Sequence, residues 1–318
     1  MGTTTVQKVM IEDLQLEDRG GCPLCGAGEH KTHLAFSVIP VVRCCSCGFL
    51  YSERLMADGA LSEYYRGGFG SERHRQGQSI NAKLNARVIE RLLPIAVIHS
   101  FLDVGAGYGY LLQHLFSEHN IRGVGVELSE QEARYGQTEL GLDIRNGPLS
   151  ASGVSPASFD LVACFEVIEH IANPSSFVEE LLSYVKPGGY LLVMTDNFES
   201  EVARKLDAGF PKWIPHSHIS HFGPKTLERL FADNGVSIVG RLSYTPWELW
   251  ARHYYFKLRG RKPTPDTSFD LSQVLESEMN GRFRLFHLRR LINRAWVRLT
   301  ARRDLDGALM YLLGRRVS

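Results

Sequence analysis

A glycine-rich turn at residues 105–109 is the feature that most constrains the fold of this chain. It lies inside the stretch HSFLDVGAGYGYLLQHLF, where a short apolar segment precedes the turn and an amphipathic segment follows it. A strand that passes through a glycine-rich turn into a helix is the first βα unit of a doubly wound parallel sheet. Tyr110 occupies the position at which a dinucleotide-binding GxGxxG pattern needs its third glycine. The sequence therefore predicts an α/β, Rossmann-like fold and disfavours a dehydrogenase.

Two acidic residues near this turn suit a cationic ligand. Asp103 stands two residues before Gly105, where a carboxylate would repel a pyrophosphate but could receive the ammonium group of an amino-acid-bearing cofactor. Glu127 ends the predicted second strand, 18 residues after Gly109, and can accept hydrogen bonds from both hydroxyls of a ribose. The charge pattern therefore favours a cationic ligand at this end of the sheet.

Five of the six cysteines lie close together near the N-terminus. Cys22 and Cys25 form one CxxC pair and Cys44 and Cys47 form another, with 18 residues between the pairs. This is the spacing of two knuckles that supply four thiolates to a structural, tetrahedral zinc ion, and it leaves Cys45 as a bystander. The alternative is a set of incidental buried thiols. It does not explain why a glycine, which tolerates a tight turn, follows each pair.

Further apolar segments predict a seven-stranded sheet interrupted by one insertion. A strand is expected at 159–164, another after the Pro-Gly-Gly turn of KPGGYLLVMTD, a sixth in VSIVGRLSY and a last one in GALMYLLGRR. The chain is accordingly divided into a zinc-binding module at 1–57, linking helices at 58–98, a core at 99–244, a helical insertion or lid at 245–304 and the final strand at 305–318.

Composition excludes few classes of protein. The 36 basic side chains nearly balance the 35 acidic ones, so no whole-molecule charge draws the chain to nucleic acid. Neither a secretory leader pattern nor an uncharged apolar stretch of membrane-spanning length is recognisable. We therefore expect a soluble, cytoplasmic protein, and the sequence gives no expectation of its oligomeric state.

The motifs together resemble a known enzyme family. LDVGAGYGYLL, GVGVELS, FDLVACFEVIEH and KPGGYLLV are similar, in this order, to the main motifs of class I S-adenosylmethionine-dependent methyltransferases. VVRCCSCGFLYSE followed by YYRGGFG resembles the N-terminal zinc ribbon of bacterial members in surface-glycan and specialised-metabolite pathways. The resemblance covers about residues 22–240 and implies S-adenosylmethionine and zinc as cofactors.

The resemblance also implies roles for individual residues. Asp103, Gly105 and Gly107 would line the methionine end of the cofactor, and Glu127 with Leu128 would meet its ribose. The adenine would lie near Phe165 and the loop Asn146-Gly147-Pro148-Leu149. Many family members carry an acidic residue in that loop to meet the adenine amino group, whereas this chain offers only Asn146 and backbone.

Methyl transfer requires alignment of acceptor and methyl group, exclusion of water and removal of one proton. Glu166, Glu169 and His170 have the spacing i, i+3 and i+4, which predicts one helical face above the cofactor. Three histidines follow at His216, His218 and His221.

The ExxEH spacing is similar to that of small-RNA 2′-O-methyltransferases and ubiquinone-pathway O-methyltransferases, in which it holds a divalent ion. This resemblance implies a Mg²⁺ site formed by Glu166, Glu169, His170 and His221, which would lower the pKa of an acceptor hydroxyl. The first alternative is a metal-free general base, which would be His170, His218 or His221. The second is a purely structural role for all of these residues.

The C-terminal insertion adds a basic segment. Two amphipathic helical stretches rich in aromatic residues, WELWARHYYFKLRGR and FRLFHLRRLINRAWVRLTARR, are expected in it, and eight arginines with no acidic residue occur from Arg282 to Arg303, a range that includes the second stretch. They could contact an anionic substrate such as a nucleotide sugar, or give peripheral contact with an acidic membrane surface. A solvated basic helix face is the alternative.

Three functions stay open at this point. The first is methylation of a hydroxyl of a small-molecule or glycan acceptor. The second is C- or N-methylation of a nucleotide-linked sugar, because zinc-ribbon relatives include sugar C-methyltransferases. The third is an RNA-binding methyltransferase or an inactive binding module, which the near-neutral charge and the few basic residues around the knuckles disfavour.

Overall fold

The computed structural model describes residues 16–36, 38–56, 72–260 and 286–317. The strands in these ranges are β1 (Leu16–Asp18), β2 (His30–Leu34), β3 (Val41–Cys44), β4 (Leu50–Ser52), β5 (Arg54–Met56), β6 (Ser100–Val104), β7 (Arg122–Glu127), β8 (Ile144–Asn146), β9 (Phe159–Phe165), β10 (Val185–Asp196), β11 (Ser220–His221), β12 (Val236–Tyr244) and β13 (Leu309–Arg316). The α-helices are α1 (Glu72–Leu92), α2 (Tyr110–His119), α3 (Glu130–Thr138), α4 (Pro174–Tyr184), α5 (Glu201–Leu206), α6 (Pro224–Asp233), α7 (Trp247–Leu258) and α8 (Phe286–Thr300). The expectations for residues 58–71 and for the loop at 261–285 lie outside the described residues.

Seven strands form the central sheet in the order β12-β13-β10-β9-β6-β7-β8. Strand β13 runs antiparallel to both of its neighbours, and the other directly paired strands are parallel. This confirms the predicted seven-stranded, Rossmann-like sheet. The predicted Pro-Gly-Gly turn lies inside β10, where the register with β9 shifts between Val185 and Tyr190.

The central strands are buried on both faces. Alternate residues such as Leu102 and Val104 join one apolar cluster, whereas Phe101 and Ala163 join a second cluster. Because side chains alternate across a strand, the two clusters lie on opposite faces of the sheet. Strand β6 has β7 on one side and β9 on the other. The chain thus reverses its winding direction at the carboxyl end of β6, where ligands bind in doubly wound sheets.

The cysteine-bearing segment forms a smaller, four-stranded sheet in the order β11-β4-β3-β2. Three of its strands come from the N-terminal segment, but β11 belongs to the chain between α5 and α6. The segment is therefore joined to the core by strand pairing. Strands β1 and β5 form a separate antiparallel ribbon beside it.

Helices α7 and α8 form the described part of the insertion before the last strand. The indole of Trp247 donates to Asn293 Oδ1 at 2.7 Å, and that of Trp296 donates to the carbonyl of Thr245 at 2.8 Å. These bonds join the two helices to each other and to the end of β12. Among the described residues, no helix is long and apolar enough to cross a membrane.

Candidate active site

The four cysteines of the two CxxC pairs converge. The Sγ atoms of Cys22 and Cys47 are 3.5 Å apart, those of Cys25 and Cys44 are 3.6 Å apart, and all four atoms lie within 4.8 Å of one another. Zn–S bonds of about 2.3 Å in a tetrahedral site hold sulfur atoms about 3.8 Å apart, so the donor set fits zinc. The exposed Cys45 is not part of the group.

Positive φ at two glycines shapes both knuckles. Gly26 has φ 74° and Gly48 has φ 77°, and their amides donate to the carbonyls of Cys22 and Cys44 at 2.8 and 3.0 Å. A side chain would strain this left-handed backbone, which explains the glycine after each pair.

The glycine-rich turn places backbone amides beside a carboxylate. Glu127, at the end of β7, accepts from the amide of Gly107 at 2.8 Å through Oε2 and from the amide of Ser129 at 2.8 Å through Oε1. Gly105 and Gly107 have φ values of 79° and 54°. A Cβ on Gly105 would lie 2.4 Å from Cγ2 of Val167, so the turn touches the loop that follows β9.

The buried carboxyl group of Asp103 and the half-buried one of Glu127 give this end of the sheet its electrostatic character. Burial, followed by the charge of Glu127, raises the pKa of Asp103 to about 7. Burial and the nearby Glu132 also raise the pKa of Glu127. Both groups would ionise more readily beside a cation, because an opposite charge favours the ionised form of a carboxyl group.

Helix α1 contacts the glycine-rich turn through the side chain of Gln78. Its Oε1 accepts from the amide of Tyr108 at 3.0 Å, and its Nε2 donates to Glu132 at 2.8 Å. A Cβ on Gly107 would lie 2.2 Å from this side chain. Sequence reasoning predicted a helix here but missed Gln78, since no local pattern distinguishes this glutamine from one on a solvated helix face.

The residues expected near the adenine do not form one group. Leu128 is exposed at the end of β7, Leu149 is buried in the cluster that contains Val104, and Asn146 Nδ2 donates to the carbonyls of Glu127 and Leu128 at 2.9 and 3.2 Å. Phe165 packs with the opposite cluster, and its ring centroid is 6.4 Å from that of Tyr311. Leu149 and Phe165 thus pack in different apolar clusters, and their contact with an adenine stays a prediction.

The ExxEH segment is not the regular helical face that its spacing predicted. Glu166 has φ 54°, and only Ile168–His170 form a short 3₁₀ helix. That expectation was wrong because the chain leaves β9 through a left-handed residue against the glycine-rich turn. The carboxyl groups of Glu166 and Glu169 nevertheless lie within 4.8 Å of each other and of Asp196.

Lys212 lies among these acids. Its Nζ is 2.7 Å from Glu166 Oε1 and 3.4 Å from Asp196 Oδ2. The hydroxyl of Thr195 donates to Glu169 Oε2 at 2.8 Å. Lys212 could not be identified from the sequence because its loop, 46 residues from Glu166, shows no motif.

Two histidines stand beside the acids. His170 Nδ1 bonds the carbonyl of Ser217 at 2.8 Å, and its ring centroid is 4.7 Å from that of His218. His218 Nδ1 lies 3.8 Å from Asp196 Oδ2. Apart from their ion-pair contacts, these two buried atoms have no hydrogen-bond partner among the described residues. Buried polar atoms without partners are rare, and their convergence marks a place for a polar ligand.

His221 lies apart from this group. Its ring packs against Phe198 and Trp213, with centroids 4.5 and 5.0 Å away. The potential metal-binding groups of the described core are Glu169-His170-His218 and Glu166-Glu169-Asp196, and neither includes His221. The structure therefore does not gather the four residues that the resemblance implied for Mg²⁺.

Burial and neighbouring charges shift the pKa values of the groups in this centre in different directions. The Lys212 charge lowers the pKa of Glu166, whereas burial and the charges of Asp196 and Glu166 raise the pKa of Glu169 to about 8. Burial raises the pKa of Asp196 to about 6, although Lys212 opposes it. Burial lowers the pKa of His218 far below its usual range. At neutral pH the centre thus contains a neutral imidazole beside an ionised carboxylate.

Comparison with known proteins identifies methyltransferases both by family model and by sequence identity. A family model for a methyltransferase domain matches residues 72–240. The ubiquinone biosynthesis O-methyltransferase of Caulobacter vibrioides is 31% identical over 163 residues, which cover 46% of this chain and 64% of that protein. The protein of the same name from Azoarcus sp. is 30% identical over 160 residues, which cover 46% of this chain and 68% of that protein. The chain thus spans slightly under two thirds of the Caulobacter relative.

Among solved structures, a SAM-dependent methyltransferase from Thermotoga maritima is similar with a TM-score of 0.49 and 17% identity. The superposition covers 76% of this chain and 93% of that one.

Proposed function

The chain belongs to the class I S-adenosylmethionine-dependent methyltransferases, and on this premise we propose that it methylates a hydroxyl of a small-molecule or glycan acceptor. The observation that carries the proposal is the contact between the glycine-rich turn and the loop after β9. Gly105 lies against Val167, which is flanked by Glu166 and precedes Glu169 by two residues. The glycine-rich turn, which is the candidate cofactor site, therefore lies directly beside the centre that contains the acids and histidines.

Residues at the carboxyl ends of β6 and β7 fit S-adenosylmethionine. In the proposal, Asp103 receives the ammonium group and Glu127 the ribose hydroxyls, while the exposed Leu128 packs against the nucleoside. Bound there, the cofactor supplies a methyl group on a sulfonium that already carries its leaving group. A positive charge on the ligand suits Asp103 and Glu127, because burial raises the pKa values of both and an opposite charge favours their ionised forms.

His218 is the proposed proton acceptor. Its buried Nδ1 lies 3.8 Å from Asp196 Oδ2, and neither atom has a hydrogen-bond partner among the described residues, so that one acceptor hydroxyl could hydrogen-bond to both atoms from the side. The cofactor would supply the methyl group to the acceptor oxygen, and His218 would take the proton that the hydroxyl loses. Asp196 would stabilise the imidazolium. The products are a methyl ether, S-adenosylhomocysteine and a proton that leaves through His218.

A metal-free transfer is the form we propose for this centre. The acids Glu166 and Asp196 already have the Lys212 ammonium between them, which supplies the positive charge that a divalent ion would bring. Magnesium at the Glu166-Glu169-Asp196 group is the alternative, and it would have to displace Lys212. The four cysteines are proposed to hold zinc in a closed structural site without an open position for substrate.

The exposed face of α7 and α8 is proposed to contact an anionic surface. More than half of the large apolar side chains that the described residues expose lie there, namely Tyr254, Tyr255, Leu258, Leu291, Ile292 and Leu299. Exposed arginines such as Arg294 and Arg298 accompany them. An apolar face that is rich in arginine is typical of helices that lie on acidic membranes.

The experiment is a transfer assay with a panel of catechols, phenols and nucleotide sugars, in which S-adenosylhomocysteine and the methylated product are followed by mass spectrometry. We expect O-methylation that persists after a mild chelator removes Mg²⁺. His218→Asn should lower kcat about 100-fold or more, the range for loss of a general base. His99→Asn changes an exposed histidine and serves as the matched control.

Three results would contradict parts of this proposal. A product methylated on carbon or nitrogen would replace O-methylation with the sugar C- or N-methylation alternative. Loss of activity after removal of Mg²⁺ would indicate that the acidic residues of this centre bind a metal ion. Equal activities of His218→Asn and His99→Asn would remove His218 as the proton acceptor.

A further inference from the structure

The segment that carries His218 is held by the cysteine-bearing sheet. Its strand β11 pairs with β4, so that Ser220 is opposite Tyr51 and His221 is opposite Leu50. The amide of Ser52 donates to the carbonyl of Ile219 at 3.0 Å, and its hydroxyl donates to the carbonyl of Pro215 at 2.7 Å. Both ends of the histidine segment are therefore fixed by the module that would bind zinc.

The same segment is also bonded to the acid loop. The amide of Ile219 donates to the carbonyl of Glu169 at 2.8 Å, and the hydroxyl of Ser220 donates to the carbonyl of Ile171 at 2.8 Å. The relative position of His218 and Glu169 therefore depends on a few hydrogen bonds near residues 219 and 220.

Arg19 bridges these two segments from the N-terminal side. Its Nη1 donates to the carbonyl of Ile219 at 2.6 Å, and its Nη2 donates to Ser220 Oγ at 3.2 Å and to the carbonyl of Ala172. The guanidinium group lies 5.7 Å from the centre of the Tyr51 ring. Burial lowers the pKa of Arg19 to about 10, so the group is still charged at neutral pH. One cation thus joins the acid loop, the histidine segment and the cysteine-bearing sheet.

The cysteines are close in the chain to each part of this bridge. Cys22 follows Arg19 by three residues, and Cys44 ends β3, which pairs with β4. Metal binding would fix both the loop that bears Arg19 and the strand next to β4. Loss of the metal would release the two together.

We propose that Arg19 is a positioning residue that couples the four-cysteine site to the order of the His218 segment in the active centre. The proposal rests on the function proposed above for His218, but the bridge itself can be tested without an acceptor. A fork of donors is required because one side chain must reach three acceptors in different directions. A lysine keeps the charge without the fork.

The test is hydrogen–deuterium exchange of peptides that contain residues 214–222, measured by mass spectrometry on the full chain. We expect Arg19→Lys and Arg19→Ala to raise exchange of this segment about tenfold or more, with zinc content and S-adenosylmethionine affinity unchanged within about twofold. Arg54→Ala is the matched control, because Arg54 pairs with Asp18 at 3.1 Å on the same two-stranded ribbon but is exposed. Removal of zinc from the unmodified protein by a strong chelator should raise exchange of the same segment.

Three outcomes would contradict the proposal. Equal exchange in Arg19→Lys and Arg54→Ala would show that the fork does not hold the segment. Loss of zinc in Arg19→Lys would assign Arg19 to the metal site and not to the bridge. Should Arg19→Ala fail to fold, Arg19→Lys still tests the bridge, because lysine keeps the positive charge but lacks the fork of donors. An unchanged exchange after zinc removal would exclude the coupling.

Discussion

Asp103 and Glu127 are the two residues on which binding of a cationic cofactor depends most directly. Burial places the pKa of Asp103 at about 7, so this carboxyl group is only partly ionised at neutral pH in the free protein. A cationic ligand binds the ionised form, and the bound cation lowers the same pKa. Cofactor affinity should therefore respond to pH in the physiological range.

We expect S-adenosylmethionine to bind more weakly as the pH falls below about 7. The loss should approach tenfold per pH unit, because one proton must leave Asp103 before the cation binds, whereas affinity above pH 7 should change little. Calorimetric titration from pH 6 to pH 8 measures this dependence. Asp103→Asn should bind weakly throughout and lose the dependence, and a pH-independent wild-type affinity would contradict the assignment.

Lys212 should stabilise the folded chain as well as the active centre. Lys212→Met leaves the buried Asp196 and the partly buried Glu166 without their common cation, which should cost about 3 kcal/mol in the free energy of unfolding. Lys205→Met is the control, because Lys205 and Glu201 form a solvent-exposed pair that contributes little to stability. Urea denaturation compares them, and equal losses would show that Lys212 is not a structural cation.

At the level of elements, the last strand fits closely under helix α6. A Cβ on Gly314 of β13 would lie 2.1 Å from Val236 Cγ1 and 2.9 Å from Phe231 Cδ1. Gly314→Ala should destabilise the chain by about 1–3 kcal/mol through overpacking. Gly28→Ala adds the same methyl group at an exposed site with no atom within 4 Å, and should be near neutral. Thermal unfolding of both variants measures this difference. An unchanged stability of Gly314→Ala would mean that helix α6 moves to accommodate the added methyl group.

The elements also show where sequence reasoning succeeds. Most strands of the sheet could be predicted because they are apolar runs bounded by glycine, proline or charge. The three-residue strand β8 could not, because Ile-Arg-Asn has only one buried residue and gives no such signal. The cysteine site could be predicted because its ligands are paired in the sequence. Both signals lie within short stretches of the sequence and can be recognised without knowledge of the tertiary structure.

The active centre could be predicted only in part. Glu166, Glu169, His170 and His218 were identified, but Lys212, Gln78 and Arg19 were not, since each acts through contacts with residues far away in the chain. The helical spacing of ExxEH failed because Glu166 adopts a left-handed conformation against the glycine-rich turn. His221 was included in the metal set from its position in the sequence, and tertiary packing places it against Phe198 and Trp213 instead.

At the scale of the whole molecule, the net charge is only +1, but the exposed face of α7 and α8 is locally basic and apolar. We expect the chain to sediment with vesicles that contain anionic lipid and not with neutral vesicles, and to dissociate at high salt. A double variant, Arg294→Glu with Leu291→Ser, should reduce the bound fraction several-fold. Val239→Ser changes an apolar residue of similar exposure on β12 and is the control. Binding that is indifferent to lipid charge would contradict this role of α7 and α8.

Titration of the protein with S-adenosylmethionine tests the central claim most directly, since it needs no knowledge of the acceptor. The account predicts one bound cofactor per chain, with affinity about tenfold or more weaker in Glu127→Ala, because a charged hydrogen-bond acceptor is lost. Glu130→Ala, an exposed change in the adjoining helix, should bind like the wild type. No binding to the wild-type protein, or equal affinities for the two variants, would contradict the assignment of the cofactor site at the carboxyl ends of β6 and β7.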